Sequence, residues 1–285
     1  RSTQAKTLFP YTTLFRSGWL HDEEDFEFLD SLPDESPVLA MRGTYSEVKV
    51  DPRAVMKVEN QGSVGSCQGH DLSSVCELCY YIATGDLSLQ LSRQYAYIET
   101  QRIDGINGDR GSTISGGIKL ATTKGIPRED LWKYPGRYDN RRPSNWSEIE
   151  IDAAKYRIGQ SYRMTTYDGI RTFLGSGQGG ISIGISWGKE VDRPIVNSFS
   201  GAGGGGHAIA LLGLSERTDQ SGRPYVWMLN SWGANWGNKG WSEWAPAAIE
   251  QMLRHRYTAC FGLSDMPNVK PREYTLDNLK KDLRI

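Results

Sequence analysis

Apolar residues after position 66 recur at Leu72, Val75, Cys76, Cys79, Ile82 and Ala83. That three-and-four spacing is one face of an amphipathic helix, predicted over about 67–84, with Gly85 placed to end it. The stretch DGINGDRGSTISGG at 104–117 is dense in turn formers, and IKLATTKG after it predicts a second helix. Beyond residue 150 the pattern changes. ISIGISW at 181–187, HAIALLGL at 207–214 and YVWMLNSW at 225–232 are predicted buried strands. The loop 215–224, with its Ser-Gly turn signal, folds the second of these back onto the third as a hairpin, in a register that sets His207 opposite Asn230. APAAIEQMLRHR at 245–256 predicts a helix, and YTACFGLSDM a last short strand. Helices first and strands later imply an α+β protein of two unlike lobes, a helical one over about 60–145 and a β lobe over about 150–265. The Pro- and Tyr-rich stretch 127–147 is expected at the surface between them, and 267–285 reads as a tail.

Composition narrows the classes. The 285 residues carry 38% hydrophobic and 24% charged side chains and a formal net charge of −1. That balance gives no general pull toward nucleic acid or membrane surfaces. The longest apolar runs, such as AIALLGL at 208–214, are too short to span a bilayer. Residues 18–45 form an acidic, proline-bearing arm in which Trp19 is a candidate anchor. Residues 7–17, TLFPYTTLFRS, resemble the conceptual translation of a sequencing adapter at all eleven positions. They are expected to take no part in the fold, with genuine sequence beginning at Gly18–Trp19. The four cysteines are Cys67, Cys76, Cys79 and Cys260. With Cys67 free they allow at most one bridge, and Cys76 and Cys79 read as core residues because no second pair stands at metal-ligand spacing.

Cys67 stands apart from the apolar stripe, in the first helical turn, where unpaired N–H groups and partial positive charge favour a thiolate. It is the candidate nucleophile. Of four histidines, His21 lies in the acidic arm and His255 beside Arg254 and Arg256. His70 shares the helix of Cys67 but lacks an obvious residue to orient its ring. His207 follows GAGGGG and opens a strand, with Asn230 brought opposite by the hairpin. Nucleophile, base and a neutral amide holding one tautomer make an activated-nucleophile site.

With these residues assembled, the chain resembles the papain-like cysteine peptidases over about residues 46–266. QGSVGSC, GHAIALLG and NSWGANWGNKGW are similar to three motifs of that family, in the same chain order. The resemblance implies a two-lobe papain-like fold and peptide-bond hydrolysis through an acyl-enzyme, by a monomer acting on peptide or protein without metal or organic cofactor. It makes Cys67 the nucleophile, His207 the base and Asn230 its orienter. It implies an oxyanion site from Gln61 and the Cys67 N–H, with Trp232 shielding the His–Asn bond. Gly111 and Ser112 would pair with substrate backbone, and Gly184 would leave a side-chain pocket roomy. SRQYAYIE at 92–99 matches a family helix start, with Arg93 in place of a glutamate. Val64 stands where secreted relatives carry a bridged cysteine, and the bridge partner is missing too. Both point to a microbial or phage-type member and a reducing compartment, although the natural N-terminus, and so any signal peptide, is left open. Where the family often has tryptophan after the nucleophile, this chain has Gln68. The acidic arm could do part of the work of a longer propeptide. Two other classes fit parts of the pattern: a cell-wall peptide amidase of the related Cys–His type, and a noncatalytic peptide-binding homologue.

Overall fold

The computed structural model describes residues 18–21, 28, 31–40 and 51–271. Expectations for residues 1–17, for most of the acidic arm and for 272–285 lie outside them. In chain order the helices are α1 (Ser36–Leu39), α2 (Cys67–Thr84), α3 (Arg93–Asp104), α4 (Ile114–Thr123), α5 (Trp146–Ala153), α6 (Tyr167–Gly175) and α7 (Pro246–Leu253). The strands are β1 (Gln160–Arg163), β2 (Gly179–Trp187), β3 (Ile195–Val196), β4 (Gly205–Thr218), β5 (Pro224–Leu229), β6 (Trp241–Trp244) and β7 (Ala259–Ser264). They form one sheet in the order β1-β7-β2-β4-β5-β6-β3. Among these strand pairs β3–β6 alone is parallel.

Helix α2 spans the predicted range and ends on Gly85, whose φ of 71° is the left-handed turn that a glycine accepts without strain. The amphipathic reading of it is incomplete. Every residue from Cys67 to Cys79 is buried, because α3 and α4 pack on one side and β2 and β4 on the other. The sheet admits the helix through its small side chains. On β2 and β4 the residues Ile181, Ile183, Ile185, Ile209 and Leu211 fill a core on the far face of the sheet. Gly180, Ser182, Gly184, Ala208 and Ala210 alternate with them and leave room on the near face. Gly69 does the same for α3: a Cβ there would stand 2.8 Å from the Tyr97 N and 3.0 Å from the Arg93 O.

Two expectations are corrected. Helix α4 starts at Ile114, within the stretch assigned to turns. Thr113 Oγ1 accepts the Gly116 N–H at 2.9 Å and caps it. Gly116 and Gly117 lie inside the helix because a Cβ on either would strike Asp104 or Gln68, at 2.1 and 1.8 Å. The hairpin is also longer than expected, with β4 running to Thr218 and two register shifts along its pairing. Its ladder closes with Ala210 opposite Leu229, so His207 is not the backbone partner of Asn230. Continued by one step, the register would set Ile209 there. The offset of two residues keeps His207 on the same face as Asn230, since side chains alternate with a period of two.

Gly69→Val should destabilise the fold by about 1–3 kcal/mol, the usual cost of overpacking a close helix crossing. Denaturant unfolding of the purified variant checks this, and an unchanged midpoint would mean that α2 and α3 are not held at contact distance.

Candidate active site

Cys67 begins α2 at the seam between helices and sheet, with its thiol wholly buried. Its sulfur accepts the Ala208 N–H at 3.4 Å, which brings β4 directly to it. One residue earlier His207 is buried too, and its Nε2 lies 2.8 Å from Asn230 Oδ1. That amide oxygen also accepts the Ser231 N–H at 2.8 Å, so it is an acceptor and Nε2 must carry the proton. Nδ1 is therefore the basic nitrogen of the neutral ring. It is buried and without a hydrogen-bond partner. Trp232 lies over the imidazole with ring centroids 4.7 Å apart, and Trp187 meets it edge-on at 4.8 Å. Together the two indoles wall the His–Asn bond from water. Trp187 was not singled out from the sequence, where it is only the last residue of an apolar strand.

Gln61 is held at three points. Its N–H donates to Ser231 O at 2.8 Å, its Oε1 accepts Ser231 Oγ at 2.6 Å, and its Nε2 donates to Val64 O at 2.8 Å. A primary amide has two N–H bonds on nitrogen, and the Val64 bond uses one of them. Ser231 lies within the NSWGANWGNKGW motif, where nothing in the sequence marks it for this contact. Gln68 accepts the Ser112 hydroxyl at 3.0 Å, tying the residue after the thiol to the Gly111–Ser112 segment.

That segment is already paired. Ser112 N donates to Gly18 O at 2.8 Å, and Leu20 N to Ser112 O at 3.0 Å. Trp19 forms a parallel bridge with Ser112 and sends its N–H to Gly206 O at 3.4 Å. Its indole is 2% exposed. It occupies the room left by Gly184 and Gly206, where a Cβ would stand 2.3 and 2.7 Å from ring atoms. Gly111 lacks a Cβ for the same reason, since one would meet Gly18 O at 2.0 Å. Residues 18–21 thus cross the cleft and cover the thiol, and Trp19 is the anchor. Beyond it a cavity of about 260 Å³ continues past Leu20 and His21 to Arg163 and Arg256.

The covered site is electrically neutral. Burial pushes the Cys67 thiol up to about 12, and hydrogen bonds from backbone at Ala208, Gly18 and Gln68 offset this only in part. The expected thiolate is therefore absent, because loss of water outweighs the helix N-terminus. Burial likewise lowers His207 to about 4 against the opposing Asn230 bond. His70 is lowered to about 4, again by burial. It bonds within its own helix, with Nδ1 3.0 Å from Ser66 O, and packs on Tyr134. His255 lies against Phe199 and Tyr257, and His21 between Trp19 and Tyr257. Cys76, Cys79 and Cys260 are buried free thiols. Among the described residues no group of three His, Cys, Asp or Glu could hold a metal ion, and no helix is long and apolar enough to cross a membrane.

A buried cysteine on a helix start, with an amide-oriented histidine one residue from its contact on the sheet, is the arrangement of an activated-nucleophile site. The family model described as papain family cysteine protease matches residues 46–256, and the chain belongs to that family. It is 26% identical over 224 residues to cysteine proteinase 1 of Zea mays, covering 73% of this chain and 58% of that protein. It is 28% identical over 205 residues to peptidase 1 of Psoroptes ovis, covering 68% and 59% respectively. The chain thus spans under three fifths of the length of these two relatives. A similar solved structure is xylellain, a cysteine protease from Xylella fastidiosa. Its TM-score is 0.68 at 22% identity, covering 90% of this chain and 99% of that one, a likeness of fold.

The two lowered histidines set a direction for acid stability. Each binds a proton in the unfolded chain below pH 6.5 but in the folded one only near 4, so each makes stability fall as pH drops through that window. Between pH 6.5 and 4.5 each should contribute a loss of about 2–3 kcal/mol. Urea unfolding of wild type and His70→Gln at both pH values measures it. The variant should lose less on acidification, and equal losses would show that His70 is charged in the fold.

Proposed function

We propose that this chain is a papain-type peptidase that cleaves peptide bonds by acyl transfer, with Cys67, His207 and Asn230 as its catalytic residues. The observation that carries the reading is the His207–Asn230 bond, 2.8 Å long, which leaves Nδ1 unprotonated on the strand whose next N–H contacts the Cys67 sulfur. In the reaction Nδ1 takes the thiol proton and the sulfur adds to the substrate carbonyl. The oxyanion receives a Gln61 side-chain N–H and the Cys67 backbone N–H. The imidazolium then protonates the leaving amine, and the C–N bond breaks. Water, deprotonated by His207, releases the acid product and regenerates the thiol. Trp232 and Trp187 keep the orienting bond dry, and Ser231 holds Gln61 in place.

In the form described here the cleft is closed by the chain itself. A substrate strand would need the Ser112 backbone groups that Gly18 and Leu20 occupy, and a side chain pocket that Trp19 fills. We read this as a latent state in which residues 18–21 must leave before catalysis. Their departure lets water reach the thiol and imidazole, lowering one pKa and raising the other toward an ion pair. Gly184, with Gly206, sizes the pocket for a large flat side chain. Val64 packs on Tyr97 and Ile98 where a bridged cysteine would sit, and all four cysteines are free. That supports a member outside the disulfide-bridged secreted branch, of microbial type. The formal net charge of −1 favours peptides over nucleic acid as substrate.

Cys67→Ala should abolish hydrolysis of a fluorogenic peptide and labelling by an epoxide thiol trap. His207→Ala should cost about three orders of magnitude in kcat/KM, whereas His70→Ala keeps most activity. Persistent labelling of Cys67→Ala, or the reverse ranking of the histidines, would sink the assignment.

Trp19→Ala should raise both kcat/KM and the rate of Cys67 alkylation at pH 7, by about tenfold or more, since the lost indole is the main buried contact of the arm. Alkylation followed by mass spectrometry tests it, and a rate equal to wild type would mean that the arm does not cover the thiol in solution.

A further inference from the structure

Tyr134 belongs to the segment 127–147, read from the sequence as a surface connection, yet its hydroxyl reaches under the loop that precedes the nucleophile. It lies 2.7 Å from Gln61 O and 2.7 Å from Ser66 Oγ. A carbonyl can only accept, so the single phenolic proton goes to Gln61 O. Ser66 Oγ must then donate its own proton to the phenolic oxygen. Ser66 O in turn accepts His70 Nδ1–H at 3.0 Å, so the tautomer of His70 follows from the same chain of bonds.

The ring is held from two further sides. Its backbone N–H donates to Glu129 Oε1 at 2.7 Å, while Glu129 Oε2 accepts the Arg93 N–H at 3.1 Å at the start of α3. Its edge meets His70 with centroids 4.6 Å apart. Burial raises the phenol to about 12, so it stays a donor at any ordinary pH.

The two groups it joins are not arbitrary. Gln61 carries one proposed oxyanion donor on its side chain, and Ser66 immediately precedes the other, the Cys67 N–H. Between them run Gly62, at a φ of 65°, and Gly65, so the loop has little stiffness of its own. The Gln61 carbonyl also receives a long bond of 3.4 Å from Val64 N.

We propose that Tyr134 is a positioning residue for the oxyanion hole: its hydroxyl clamps Gln61 to Ser66 and so fixes the spacing of the two N–H donors. This rests on the peptidase reading above. Tyr134 touches neither substrate nor the reacting atoms. Its effect acts through the donors, and it should appear in the transition state rather than in substrate binding.

The test uses the full chain and two variants, Tyr134→Phe and Ser66→Ala. Three quantities are measured: kcat/KM on a fluorogenic peptide, the inhibition constant of a peptide aldehyde, and the dissociation constant of the matching peptide amide. The aldehyde forms a hemithioacetal whose oxygen sits in the hole, whereas the amide binds without one. Competition from residues 18–21 weakens both alike, so their ratio is free of it. Tyr134→Phe should lower kcat/KM and aldehyde affinity together by about tenfold, below the loss for deleting a donor outright, with amide binding unchanged. Ser66→Ala should show a smaller loss of the same kind. The double variant should be no worse than Tyr134→Phe, since both act on one clamp. An aldehyde-to-amide ratio equal to wild type, or losses that add in the double variant, would overturn the proposal. If Tyr134→Phe folds too poorly to assay, an unchanged ratio in Ser66→Ala overturns it equally. A wild-type protein that neither hydrolyses the peptide nor binds the aldehyde would instead refute the peptidase reading.

Discussion

The arrangement depends on burying the first half of α2 on every side. A helix wrapped in this way can carry no bulky neighbour at its contacts. Gly69 meets α3, Gly117 meets Gln68, and Ala208 and Ala210 face the helix from β4. Removing any of these small residues moves the helix start, and the helix start is what delivers Cys67 to the edge of β4. The 3.4 Å contact between its sulfur and Ala208 N is thus the local result of packing that extends along four turns.

Complete burial makes an unpaired charge along α2 costly, although single atoms of Gln68, Asp71 and Ser73 stay without a hydrogen-bond partner. Glu77 takes a two-pronged bond from Arg93, at 2.6 and 2.8 Å, and a third from the Leu91 N–H. Arg93 departs from the glutamate of the family motif. Its guanidinium is 2% exposed and is acceptable there only because Glu77 faces it and Glu59 stands 3.9 Å away. Either charge alone would cost several kcal/mol. Asp71, one turn after the nucleophile, has no cation beside it. It accepts the Ser182 hydroxyl, and burial raises its pKa well above the usual carboxylate value, so it adds little negative charge behind Cys67.

The same desolvation underlies the latent state proposed above. Burial under the arm drives both thiol and imidazole toward the neutral form, because it removes the water that would hold either charge. A nucleophile whose charge state depends on who occupies the cleft needs no separate switch. The arm is read by groups that would also read a substrate: the Ser112 backbone and the glycine-lined space of Gly184 and Gly206. Trp19 holds it there by the packing of its indole, beside the backbone bonds that residues 18–20 make with Ser112 and Gly206.

Much of this was legible before any coordinates. The span of α2, its end at Gly85, the positions of β2, β4 and β5, and the trio Cys67, His207 and Asn230 follow from periodicity, turn chemistry and motif spacing, which are local properties. Expectations failed where distant residues decide. Helix α4 begins early because Thr113 caps it, and its two glycines let it pack against Asp104 and Gln68. The register of the hairpin is shifted by irregularities that a symmetric loop does not reveal. Trp187 and Tyr134 carry no periodic signal, and their meaning lies in what comes within 5 Å of them from other elements. The sequence by itself determined which residues have the chemistry and in which order they stand. Only the tertiary structure decided their charge, since a pKa is set by the water and dipoles around a group. It also decided that the first residue able to enter the cleft is the chain's own Trp19.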